Sequence, residues 1–223
     1  MVAHGCGDPP GVEEGIPGRE DVSLPEPRAT GPVPLEEALE GRRSVRDFRS
    51  EPLDLHQVAQ LLWAAQGVTG PRGLRSVPSA GALYPLEVHL VVGGVEELEP
   101  GVYRFDPDRH TLTHTRSGDR RDELAAAALG QDWMADAPVM ILVTALFERT
   151  TSIYGERGVR YVHMEVGHAA QNVYLQAVAM GLGTTLVGAF RDDEVRATAG
   201  LRSGEAPLGI LPVGAPRPEA VSE

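Results

Sequence analysis

PVMILVTAL, residues 138–146, carries no charge and a single hydroxyl. An unbroken apolar run of this length is expected of a central β-strand covered by protein on both faces. It is far short of the roughly 18 apolar residues needed to span a bilayer, and no other run in the chain reaches that length. Moving outward, LEVHLVV (86–92) reads as a second strand. GVYRFD and HTLTHT form a hairpin around Asp106, Pro107 and Asp108, and LGILPVG is a last strand. TTLVGAF (184–190) reads as one more short strand. Helices are expected at PLEEALEG, from Asp54 to Gln66, at DELAAAALG, over 160–181, and at DDEVRATAG. Asp54 with Gln57 three residues on makes a capping box, and Leu55, Val58, Leu61, Leu62 and Ala65 form the apolar stripe behind it. Helices and strands mix without a regular βαβ repeat, so the class is α+β.

The 223 residues carry 20 basic and 32 acidic side chains, for a net charge of −12. That balance argues against nucleic acid and anionic membranes as partners, though not against a small anion in a local basic pocket. Every basic residue is arginine, which excludes lysine chemistry such as a Schiff base. Cys6 is the only cysteine, so an intrachain disulfide and Cys-rich metal sites are excluded. The first residues lack the basic start and apolar stretch of a signal peptide, so a cytoplasmic location is expected. Residues 1–33, rich in Gly, Pro and Glu, read as an exposed arm that could drape over a partner near LPEP (24–27). Residues 34–223 read as one domain.

Three segments could carry chemistry. In RRSVRDF (42–48), an extended backbone turns Arg42, Ser44 and Arg46 to one side and Arg43 and Val45 to the other. Two guanidinium forks and a hydroxyl suit a phosphate, while a solvated loop paired to local glutamates is the plainer reading. RSVPSAGALYP (75–85) cannot be helical and offers free backbone N–H groups and small residues that a flat ligand could approach, or it is an ordinary loop. Glu165, His168 and Asn172 share a helix face, but no second Glu-x-x-His exists to build a di-metal site, so a self-satisfying buried polar cluster is expected and no metal. GLGTTLVGAF lacks the setting of a dinucleotide fingerprint.

Taken together, RRSVRDF, PSAGALYPLEVHLVV, EPGVYRFDPDRHTL, YGERGVRYVHMEVGHAAQNVYLQAVAMGLGTT, and VGAF with the terminal PVGAPR resemble the flavin-dependent nitroreductase superfamily. Within it the chain is most similar to the SagB-type dehydrogenases, which oxidise azoline rings in ribosomal peptides. The resemblance runs from Leu24 to Arg217 and implies a nitroreductase-like fold: a central mixed sheet surrounded by helices in an intertwined homodimer. It implies FMN as cofactor, hydride transfer through flavin N5, and NAD(P)H as a candidate electron donor. By the same resemblance, Arg42 and Ser44 meet the phosphate and ribityl chain, Arg43 counts among the cofactor-binding residues, and Arg46 reaches the N1/C2 edge of the ring. Pro78, Ser79, Ala80 and Gly81 come from the neighbouring subunit, Val187, Gly188 and Ala189 flank the ring, and Arg217 closes on the phosphate. The long helix, apolar nearly all round, becomes the dimer core. SagB-type enzymes carry a Lys-Tyr pair for proton removal; here the matching residues are Ile153 and Tyr154, so Tyr154 stands as catalytic candidate without its cation. The resemblance therefore leaves three activities open: azoline oxidation, general nitro or quinone reduction, and a flavin-binding scaffold in a peptide-modifying complex.

Overall fold

The structure, a computed structural model, describes residues 21–217. The greater part of the expected arm, residues 1–20, lies outside the described residues, as do 218–223. In chain order the elements are β1 (Val22–Ser23), α1 (Leu35–Gly41), α2 (Leu55–Gln66), β2 (Val68–Gly70), β3 (Leu74–Arg75), β4 (Leu86–Val92), β5 (Gly101–Asp106) and β6 (Thr111–Ser117). There follow α3 (Arg121–Ala127), β7 (Val139–Leu146), α4 (Glu148–Tyr154), α5 (Arg157–Ala179), β8 (Gly183–Thr184), α6 (Asp192–Ala199) and β9 (Glu205–Gly214).

Seven strands form one sheet in the order β1-β6-β5-β4-β7-β9-β8, with β7 between β4 and β9. Alternation along β7 explains its unbroken apolar sequence. Val139, Ile141, Val143 and Ala145 join the core shared with α2 and α5. Met140 and Leu142 join the opposite core, with Leu124 of α3 and Val195 of α6. Both faces are thus covered, and the class is α+β as expected. All strand ladders of this sheet are antiparallel. The parallel component of the expected mixed sheet is confined to isolated bridges, Ser44 with Thr184 and Leu53 with Val95.

The capping box forms: the Gln57 amide donates to Asp54 Oδ1 at 2.7 Å and the Asp54 amide donates to Gln57 Oε1 at 3.1 Å. Two expectations are corrected. TTLVGAF is not a continuous strand: β8 ends at Thr184, and the further pairing among the described residues is the bridge of Val187 to Ile210. Helix α5 is not apolar all round. It buries Val162, Val166, Ala169, Ala170, Val173 and Ala177, while Arg160, His163, His168 and Gln171 face solvent beside Val159 and Met164. Among the described residues no helix is long and apolar enough to cross a membrane.

Candidate active site

The first half of the site begins where α1 stops. Arg42 closes that helix with its amide on Ala38 O and then turns extended. The segment after it is stitched to the C-terminal end of the sheet. The Val45 amide donates to Thr184 O, the Arg49 amide to Ala215 O, and the Arg217 amide to Asp47 O. Phe48, fully buried, anchors the segment, and Val45 packs where residue 183 has no side chain; a Cβ there would come within 2.6 Å of Val45 Cγ2.

Arg42 and Arg43 go to different partners, as neighbours on an extended backbone would. The Arg42 guanidinium lies 5.3 Å from the centre of the Tyr174 ring on α5, a cation–π contact. Arg43 turns back and donates to Glu40 O and Arg42 O, both at 2.8 Å. Arg46 is exposed. Arg217 donates through Nε to Phe48 O at 2.9 Å and pairs with Asp47. Tyr174, which sequence reasoning passed over, ties this half together. Its hydroxyl accepts from the Leu186 amide at 2.8 Å and donates to Thr185 at 3.3 Å. Burial works to raise this phenol, but the hydrogen bonds with Thr185, Ser44 and the Leu186 amide, with the Arg42 charge, bring it below the ordinary tyrosine value. Val187 is buried and exchanges both backbone hydrogen bonds with Ile210. Gly188 and Ala189 follow it exposed, with open space where a Gly188 side chain would be. Arg42 and Ser44 thus meet at Tyr174, Arg217 lies beside Asp47 and Phe48 on the same segment, and Val187 pairs midway along β9.

The second half is the loop 78–84. Ser79 Oγ and the Ala80 amide both donate to Glu165 Oε1 at 3.0 Å, and the Tyr84 amide donates to Ser79 Oγ at 2.9 Å. Gly81 adopts φ +64°, and a Cβ there would come within 2.9 Å of the Tyr154 hydroxyl. The loop and Tyr154 thus meet, although nearly 70 residues separate them. Tyr154 packs edge-on against Tyr161, 5.3 Å between ring centres. Its neighbour Ile153 is two-thirds exposed. The expected polar cluster of Glu165, His168 and Asn172 does not form: Glu165 serves the loop, His168 is exposed, and Asn172 donates to Ala64 O and Ser76 O. Glu165 and Asn172 find their hydrogen-bond partners elsewhere in the fold, and exposed His168 acts on Glu165 only through its charge. No group of three His, Cys, Asp or Glu side chains among the described residues is arranged to hold a metal.

The two halves hang on one helix. Glu165 and Tyr174 are nine residues apart on α5, roughly 13–14 Å along the axis and half a turn round it. They face opposite sides of a helix packed into the protein.

The chain, with its sheet of this order flanked by helices, belongs to the nitroreductase family, a membership that implies an oxidoreductase. The family's sequence profile matches residues 39–215. A protein of Methanocaldococcus jannaschii named as a nitroreductase is 50% identical over 182 residues, 82% of this chain and 91% of that protein. The microcin B17-processing protein McbC of Escherichia coli is 29% identical over 155 residues, 67% of this chain but only 57% of its own length. A solved nitroreductase-named structure from Ralstonia eutropha superposes with TM-score 0.79 at 28% identity, over 95% of this chain and 97% of that one. One from Anabaena variabilis also reaches 0.79, at 32% identity over 90% of this chain, which spans 42% of that protein.

Proposed function

We propose that the protein is an FMN-dependent oxidoreductase working as a homodimer, with a small molecule oxidised or reduced at the flavin. The observation that carries the reading is the placement of the two half-sites on opposite sides of α5. With the two held apart by α5, a second copy is what would bring its loop 78–81 to the arginine-serine segment of the first. Apolar residues left exposed near this region, Ile153, Val159 and Met164, support such a copy.

The residues fit the cofactor. Arg42, Ser44 and Arg217 offer charge-assisted donors to a phosphate, while the exposed backbone at Gly188 lets a flat ring approach. Arg46 would set a fixed positive charge at the ring edge, where it favours added electrons. Bound there, the flavin supplies hydride transfer at N5. The chain's own work is to hold the ring between its halves and exclude water. Tyr154, against Gly81, would hold or move a proton at its hydroxyl.

The purified protein should be yellow, release about one FMN per chain on denaturation, and scatter light as a dimer. A colourless monomer that FMN fails to stabilise against heating would overturn the reading.

Azoline oxidation in a peptide-modifying complex, the SagB-type activity, is a second reading. It is favoured by the meeting of Tyr154 with the Pro-Ser loop and by the likeness to McbC. Ile153 stands against it, because the phenol lacks an adjacent ammonium. Ile153→Lys should then raise azoline-peptide oxidation above a weak or absent wild-type level, and Tyr154→Phe should remove the gain with FMN content unchanged. Nitroaromatic reduction with NADPH by both wild type and Ile153→Lys, without azoline turnover by either, would leave the general reductase.

A further inference from the structure

We propose that Glu165 is a positioning residue: its buried carboxylate moulds residues 79–84 into the surface that lies on the flavin. The inference rests on the flavin reading above for its consequence, though not for the geometry that motivates it.

The loop needs moulding. Gly81, Ala82 and Tyr84 have φ of +64°, +52° and +46°, and two of these are not glycine. A side chain in the left-handed region persists only where its surroundings over-determine it. Three groups do so here. Arg149 Nη1 donates to Tyr84 O at 2.9 Å. The Arg75 guanidinium sits 4.6 Å from the Tyr84 ring centre, and the Arg75 amide donates to the Tyr84 hydroxyl at 3.3 Å. These two hold the far end of the loop, at Tyr84. Among the described residues Glu165 holds its near end: one oxygen fixes Ser79 and Ala80 together, and Ser79 Oγ relays the grip to the Tyr84 amide.

A carboxylate is a costly choice for that task. Glu165 is 3% exposed, and its second oxygen, Oε2, is buried with no hydrogen-bond partner among the described residues. Burial pushes the carboxyl above its usual range, against the pull of the Ala80 amide, Ser79 and His168. A buried polar group of this kind inside α5 serves core packing less well than an apolar residue would. Its contribution is the shape of the loop, and Gly81 within that shape is what abuts the Tyr154 hydroxyl. Glu165 thereby links the helix to the cofactor surface and to the proton-handling phenol.

The test compares Glu165→Ala, Glu165→Gln and Ser79→Ala. In cofactor-free protein, amide hydrogen exchange at Ala80 and Tyr84 should quicken about tenfold or more in Glu165→Ala, with the exchange of β7 amides unchanged. Affinity for added FMN, read by flavin fluorescence quenching, should fall by about tenfold or more in the same variant. Glu165→Gln keeps an oxygen in the Oε1 place and should restore both readouts to near wild type. If Glu165→Ala does not fold, Ser79→Ala, which cuts only the relay, should quicken Tyr84 exchange and weaken FMN binding. Unchanged exchange in the variant, or quickened exchange with unaltered FMN affinity, would overturn the proposal. Wild-type protein that binds no FMN would overturn the flavin reading and, with it, the consequence assigned to Glu165, while the exchange arm would still report whether Glu165 shapes the loop.

Discussion

Glu205→Ala is expected to lose about 3–5 kcal/mol of unfolding free energy at neutral pH. Glu205 opens β9 and is fully buried on the α6 side of the sheet. His89 of β4 lies 2.5 Å from its Oε1, the Thr144 hydroxyl of β7 donates to the same oxygen, and Arg202 Nε donates to Oε2 at 3.2 Å. Three strands and the turn after α6 thus converge on one carboxylate. Truncation takes the acceptor from a buried imidazole and a buried hydroxyl and removes one of the two carboxylates that Arg202 pairs with. The disturbance should spread. Arg202 also pairs with Glu87 at 3.1 Å, and Glu87 with Arg149 at 2.6 Å, the same Arg149 that holds Tyr84 O. Burial alone would raise this carboxyl, but the His89 hydrogen bond and charge, Thr144 and Arg202 outweigh it and bring the value from 4.5 to about 2. A carboxyl depressed in the folded state adds stability above its unfolded value, and that contribution disappears as pH falls through the folded value. From these two values it amounts to about 3 kcal/mol at neutral pH. Urea unfolding at pH 7 should therefore separate wild type from Glu205→Gln, and the gap should shrink steadily between about pH 4.5 and pH 2. A constant gap across that range would mean that the glutamate acts by shape and not by charge.

Sequence pattern shows most of this fold and only part of its site, for identifiable reasons. The apolar run of β7 and the capping box of α2 are local signals, each specified by residues a few places apart, and both elements form where they were expected. Helix α4 was not expected. Its sequence, ERTTSIY, holds two β-branched threonines and no side-chain cap. It is held from outside by the close approach of α5 at Gly158, where a Cβ would come about 3 Å from Thr151, and from within by Thr151 Oγ1 donating to Phe147 O. The break in TTLVGAF is also tertiary. The Leu186 amide, which a longer strand would use in a ladder, goes instead to the Tyr174 hydroxyl. The split of Arg42 from Arg43 was legible because period two is a backbone property. The roles of Tyr174 and Glu165 were not, because a tyrosine and a glutamate on a helix carry no pattern until their partners, more than 80 residues from Glu165 and 10 or more from Tyr174, are placed beside them.

Arg42→Ala is expected to weaken FMN binding by about 10- to 150-fold, from the loss of charge-assisted hydrogen bonds worth roughly 1.5–3 kcal/mol. The starting point is geometry. Arg42 leaves α1 at a backbone turn that Ala38 O and the Thr184 pairing of the next residues fix, so its stem has little freedom. The guanidinium lies over the Tyr174 ring, which pre-orders its plane and reduces the entropy lost when it meets an anion. Tyr174 in turn is held by Thr185 and the Leu186 amide. The substitution removes a charge from a rigid frame and leaves the frame standing, so the thermal stability of cofactor-free protein should barely change. Comparing two ligands locates the contact. Riboflavin has the ring and ribityl chain but no phosphate, so its affinity should be nearly the same in wild type and Arg42→Ala. Wild-type FMN affinity should also fall as salt is raised, more steeply than that of the variant, because an exposed charge pair is screened. An equal loss for FMN and riboflavin would place Arg42 on the ring or its chain. No loss for either would move the phosphate grip to Arg46 and Arg217.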